Sequence, residues 1–103
     1  MKINIINTTT DSLKTAKYIA EYLVKKELSP CVQIITEVVS KYKWQGKVIE
    51  SNEYLLIIKT IPFNVLKCKQ NILKYHNYQN PEILVSESKI LSTKYKQWFL
   101  NKS

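Results

Sequence analysis

Every second residue from Val32 to Trp44 falls on one face: Val32, Ile34, Thr36, Val38, Ser40, Tyr42 and Trp44, most of them apolar or aromatic. Period two with neither glycine nor proline from Cys31 to Trp44 predicts a strand. Gln45-Gly46 follows as a tight turn, with glycine free to take positive φ. Lys47 to Thr60 then returns, with Tyr54-Leu55-Leu56-Ile57-Ile58 at its centre. Each arm spans ~46 Å at roughly 3.3 Å per residue, where a typical strand has about 5–6 residues. An apolar edge of that length invites pairing, and another copy of the same chain is the economical partner.

The flanking segments complete an alternation of elements. Residues 2 to 7 read as a first strand, and Thr8-Thr9-Thr10-Asp11 as a polar loop whose last members cap a helix. Leu13, Ala16, Ala20, Leu23 and Val24 keep helical spacing and predict a helix of about 16 residues that stops before Pro30. Pro62 opens a second helix, where its missing N–H costs nothing. Val65, Cys68, Ile72 and Tyr75 share its inner face. Glu82 to Glu87 reads as a fourth strand, and a short last helix carries Tyr95, Trp98 and Phe99. The order βαββαβ plus a helix predicts an α+β, ferredoxin-like sandwich: one antiparallel sheet with two helices on one face. At 103 residues the chain reads as a single domain, 1–103.

Charge changes the picture less than its size suggests. The net charge is +8, from sixteen lysines and no arginine against one aspartate and seven glutamates. A basic balance favours anionic partners, but arginine is the preferred reader of phosphate and guanine, so nucleic acid is not expected. The lysines run from Lys2 to Lys102 and read as a solvated surface. Cys31 and Cys68 have no metal-ligand or CxxC spacing. The first residues read as a strand rather than a signal peptide, and no run approaches the roughly 18 apolar residues of a membrane span. A cytoplasmic protein without membrane contact is expected, or an organellar one if a targeting segment has been removed.

A set of motifs then stands out. Cys31-Val32 opens the long strand, and Ser40-x-Tyr42-x-Trp44-x-Gly46-Lys47 spans the hairpin. Glu53 precedes the apolar run that Lys59-Thr60 closes. His76-x-Tyr78-x-x-Pro81-Glu82-Ile83 leads into the fourth strand, and Tyr95-x-x-Trp98 sits in the last helix. In order and spacing the chain resembles the CutA family of divalent-cation-tolerance proteins from Ile3 to Trp98. The resemblance implies a stable homotrimer of ferredoxin-like subunits, with the hairpins pairing around a threefold axis. It also implies a part in the response to divalent metals, copper above all. At the level of fold alone, the architecture is similar to the PII signal proteins, trimers that bind small anionic ligands between subunits.

The chain departs from the family pattern at three places. His76-Asn77-Tyr78 replaces His-Pro-Tyr, which removes a rigid residue and implies a more mobile loop. Thr36-Glu37 replaces a Pro-Gly inside the long strand and puts the bulge there in doubt. Asn7, Tyr75 and His76 match the Cys and two His of copper-binding bacterial members, so only one of three ligand positions remains. Weak copper binding through His76 or Cys31 is expected, with no tight site.

Each candidate residue has two readings. His76 is a metal ligand, or an imidazole ending the second helix and bonding a free carbonyl. Glu53, Lys59 and Glu82 form ion pairs at strand ends, or a polar cleft between subunits that holds a metal or a small anionic ligand. Tyr42, Trp44, Tyr78, Tyr95 and Trp98 line such a cleft, or anchor the subunit interface. A lone histidine gives no catalytic triad and a lone glycine no phosphate loop, so no enzyme is expected. The expected function is metal or small-ligand binding without catalysis. The alternatives are a PII-like ligand sensor and a basic RNA-binding domain. The second lacks the aromatic signature of its third strand.

Overall fold

The computed structural model describes residues 1–102. In chain order the elements are β1 (Lys2–Thr10), α1 (Leu13–Lys25), β2 (Cys31–Trp44), β3 (Lys47–Thr60), α2 (Val65–Tyr75, entered through a 3₁₀ turn Pro62–Asn64), β4 (Leu84–Lys89) and α3 (Thr93–Asn101). The sheet runs β2-β3-β1-β4, and every neighbouring pair is antiparallel. This is the ferredoxin-like order expected from the sequence.

Pairing sorts the sheet into two faces, because directly opposed residues point the same way. Ile6 faces Ile58 and Thr8 faces Leu56 across β1 and β3, while Val32 faces Ile58 and Ile34 faces Leu56 across β2 and β3. On this face Ile6, Leu56 and Ile58 pack with Ala16, Ile19 and Leu23 of α1 and with Cys68 and Ile72 of α2. Each large apolar side chain so buried contributes about 1.5–3 kcal/mol. The other face is covered only at one end, by α3, where Lys59 Nζ stands 5.8 Å from the centre of the Tyr95 ring.

Three expectations about local structure are corrected. First, β1 continues to Thr10 where a loop was expected. Thr8, Thr9 and Thr10 pair with Leu56, Leu55 and Tyr54, because the long β3 offers partners there and β-branched threonine suits a strand. The cap of α1 is Ser12, whose Oγ accepts from the Thr15 N–H at 3.1 Å. Secondly, α1 ends at Lys25, and Glu27 turns the chain at φ 57° before Pro30, so the helix has 13 residues. Thirdly, β4 begins at Leu84, two residues later than expected, because the chain up to Ile83 belongs to the loop after α2.

The bulge in β2 is present without Pro-Gly. The register steps from Ile35 opposite Leu55 to Val38 opposite Glu53, so Thr36 and Glu37 together face Tyr54. Glu37 takes φ 61°, a left-handed conformation that glycine adopts more cheaply. The extra residue turns the strand over. Val32 and Ile34 face the helices, but Val38, Ser40, Tyr42 and Trp44 face the open side with Glu53, Ser51 and Ile49. The single period-two face is therefore two half-faces on opposite sides of the sheet.

Beyond the bulge the hairpin projects from the domain, whose longest dimension is 47 Å. Gln45 and Gly46 close it with φ 50° and 78°, as a two-residue hairpin turn requires. Trp44 is 61% and Val48 70% exposed. Both sheet edges are bare: β4 is exposed throughout, including Leu84 and Val85, and β2 carries exposed Ile35 and Val39. Among the described residues no helix is long and apolar enough to cross a membrane.

Candidate functional site

The open face forms a concavity of about 970 Å³ between the root of the hairpin and the loop that follows α2. Its floor comes from β1 (Asn7, Thr9), β2 (Val38, Ser40, Tyr42, Trp44) and β3 (Ile49, Glu53, Leu55). Tyr78, Gln79, Asn80 and Glu82 close one side. The bulge builds this site, since without it Tyr42 and Trp44 would face the helices.

At its centre the Tyr78 hydroxyl donates to Glu53 Oε2 across 2.7 Å. Glu53 is only 7% exposed, so this hydrogen bond to a carboxylate is shielded from competing water. Burial, and then the Glu53 carboxylate, push the Tyr78 hydroxyl far above the usual phenol range and keep it protonated as the donor. Across the floor the Tyr42 hydroxyl and Ser51 Oγ are hydrogen-bonded at 2.9 Å. Lys41, at the rim, pairs with Glu50 at 3.4 Å.

The loop that delivers Tyr78 is held by its first two residues. His76 Nδ1 accepts from the Tyr78 N–H at 2.9 Å. With Nδ1 used as an acceptor, the proton sits on Nε2, which donates to the Thr9 carbonyl at 2.8 Å. Asn77 accepts from the Thr10 hydroxyl and donates to Asp11 Oδ1 at 2.7 Å. At the position where the family pattern has proline, Asn77 is thus a polar tether between Thr10 and Asp11. Thr9 and Thr10 supply these partners only because β1 runs on to Thr10.

Within one chain the candidate copper donors are not brought together. Both His76 nitrogens are engaged within the chain. Cys31 opens β2 opposite Lys59, while Thr9, the partner of His76, lies opposite Leu55, so about 13 Å of strand separates the two candidates. Burial pushes the Cys68 thiol up, with a partial offset from Thr60, and keeps it protonated. Asn7 lines the concavity, whereas Tyr75 packs on the helix side, its ring 5.1 Å from Tyr18 and 4.8 Å from Tyr22. Asn7 and Tyr75 therefore lie on opposite sides of the sheet. Among the described residues no three His, Cys, Asp or Glu side chains converge on a metal position.

The eight cleft candidates form two groups. Tyr42, Trp44, Glu53, Tyr78 and Glu82 meet in the concavity. Lys59 lies six residues further along β3, about 20 Å away, beside Tyr95, whose ring is 5.6 Å from that of Trp98. Thr9, Gln79 and Asn80 belong to the site but carried no sequence signal, because their placement depends on the register of β1 and the path of the loop; Asn7, singled out only as a lost ligand position, lines it too. The side-chain amide oxygen of Asn7, Oδ1, is buried without a hydrogen-bond partner within the chain.

Comparison with known proteins gives a consistent result. The sequence pattern of the CutA1 divalent ion tolerance protein family matches residues 4–102. The divalent-cation tolerance protein CutA of Thermus thermophilus is 38% identical over 80 residues, 78% of each chain. The chloroplastic protein CutA of Arabidopsis thaliana is 31% identical over 97 residues, 94% of this chain and 53% of that one. The chain thus spans about half the length of the plant relative. The crystal structure of CutA1 from Oryza sativa superposes with a TM-score of 0.92 at 29% identity, covering 99% of this chain and 93% of the other.

Proposed function

The chain belongs to the CutA1 divalent ion tolerance family, and from that premise we propose that it acts in the response to divalent metal ions as a homotrimer that binds a metal or small ligand without catalysis. The observation that carries the functional part is the family match over nearly the whole chain. Two features support assembly. The hairpin holds Trp44 and Val48 out in water, and both sheet edges leave apolar side chains bare. An isolated domain gains nothing from either, whereas a neighbouring copy would cover both.

A cyclic interface joins two different patches of the same surface, so each cleft would be built from both. One patch holds Glu53, Tyr78 and Glu82, and the other holds Lys59, Tyr95 and Trp98. Opposite charge and aromatic faces make them suitable partners. Within one patch Glu53 and Glu82 disfavour a negatively charged ligand, and Lys59 from a neighbouring copy would be the cation that faces them. Native mass spectrometry of freshly purified protein tests the proposal by giving the subunit count together with any retained metal or ligand. A species of three subunits is expected. A single subunit at micromolar concentration in molar salt would overturn the assembly, because apolar pairing is not screened as surface charge is.

A further inference from the structure

The fold gathers lysines that the sequence scatters. With its cap residue Lys26, α1 carries Lys14, Lys17, Lys25 and Lys26, and α2 carries Lys67, Lys69 and Lys74. Against these seven stands one acidic residue, Glu21. The two helices form one layer on the side of the sheet away from the concavity, so this charge points away from the proposed cleft. From Tyr54 to Pro81 the chain has no acidic residue at all.

Within this basic layer lies an uncovered apolar stripe. Val65, Cys68, Ile72 and Tyr75 turn α2 toward the sheet. On its opposite side Leu66 is 61% and Leu73 49% exposed, and Phe63, in the turn leading into the helix, is 83% exposed. At 100° per residue Leu66 and Leu73 lie in one line along the helix, with Lys67 and Lys74 on one flank and Lys69 on the other. The stripe is about 15 Å long at 1.5 Å per residue.

We infer that this face of α2 is a docking surface for an acidic amphipathic helix of another protein. A second copy of this chain would bring one lysine-flanked stripe against another, and like charges oppose that pairing. Nucleic acid would occupy the lysines but leave Phe63, Leu66 and Leu73 in water, and the chain has no arginine to read it. A helix lying on a bilayer buries a broad apolar face. Here the broad face of α2 is committed to the core, and the remaining stripe is one side chain wide, the width of a seam between two helices. The partner helix would set apolar side chains at three- and four-residue spacing along the stripe, with carboxylates reaching the flanking lysines.

The test uses a fluorescein-labelled three-heptad peptide with leucine at a and d and mostly glutamate elsewhere, titrated with the full chain and followed by fluorescence anisotropy. The controls are a peptide of the same composition with its leucines spread around the helix, and vesicles of phosphatidylcholine with and without phosphatidylserine. The patterned peptide should bind, and its affinity should fall at least about tenfold in Phe63→Ser/Leu66→Ser and in Lys67→Glu/Lys69→Glu/Lys74→Glu. All five side chains are exposed, so unchanged thermal melting should confirm that both variants fold. Equal affinity for the scrambled peptide, or an apolar variant that binds like wild type, would reduce the effect to bulk charge and overturn the inference. So would absence of peptide binding, or pelleting with phosphatidylserine vesicles by a protein that does not bind the peptide.

Discussion

Replacing Tyr78 by phenylalanine removes one oxygen and leaves the ring, whose centre lies 4.9 Å from that of His76. The lost hydroxyl is the hydrogen-bond donor to Glu53 Oε2 at 2.7 Å, and Glu53 is 7% exposed. A hydrogen bond to a charged group contributes about 1.5–3 kcal/mol, and the loop side of the site admits some water, so a loss of about 1.5–2 kcal/mol is expected. Urea unfolding at pH 7.5 and fixed protein concentration measures it, since assembly makes apparent stability depend on concentration. Glu53→Gln should cost less, because its amide oxygen still accepts from the tyrosine. The double variant should show a coupling energy of about 1 kcal/mol, as expected for side chains in direct contact. The same pair gives a pH signature. The Tyr78 hydroxyl titrates higher in the folded chain than unfolded, so its contribution is complete below about pH 10, the unfolded phenol value, and is lost as pH rises above it. Wild type should therefore lose stability above pH 10 more steeply than Tyr78→Phe, by less than about 1.4 kcal/mol per pH unit because water reaches part of the ring. A cost under about 0.5 kcal/mol at pH 7.5, or parallel alkaline profiles, would refute the assignment of Tyr78 as the donor that holds Glu53.

Trp44→Ala tests assembly: a 61% exposed tryptophan in an isolated chain should cost almost nothing, whereas an interface anchor should cost at least ~2 kcal/mol and lower the melting temperature of the trimer. An unchanged melting temperature and mass would remove Trp44 from the interface. Glu37→Gly should stabilise by about 0.5–1 kcal/mol in the same urea assay, because the relief of φ 61° exceeds the added entropy of glycine; a loss of stability would count against the left-handed bulge. Calorimetric titration of reduced protein with Cu(II), and separately with Cu(I), should show only weak binding, since both His76 nitrogens are already bonded. Nanomolar binding at one metal per subunit, abolished by His76→Ala, would contradict that geometry.

Local patterns made the architecture legible. The bounds of both hairpin strands could be read because Gly46 marks the turn, with period-two patterning before it and the apolar run Tyr54 to Ile58 after it. The inner face of α2 could be read from the spacing of Val65, Cys68, Ile72 and Tyr75, and the family from motifs whose order survives without any contact being known. Only tertiary structure decided which way the side chains of the long hairpin face. Thr36-Glu37 carries no glycine or proline to announce a bulge, yet one inserted residue inverts everything beyond it and sends Tyr42 and Trp44 to the open side. β1 reaches Thr10 because β3, far along the chain, supplies hydrogen-bonding partners, and that extension provides the groups that hold His76 and Asn77. The fold likewise gathers lysines from two helices into one basic layer. Periodicity is a property of neighbours in the chain, while register, facing and charge density are set by distant strands and helices that meet only when the sheet closes over its core.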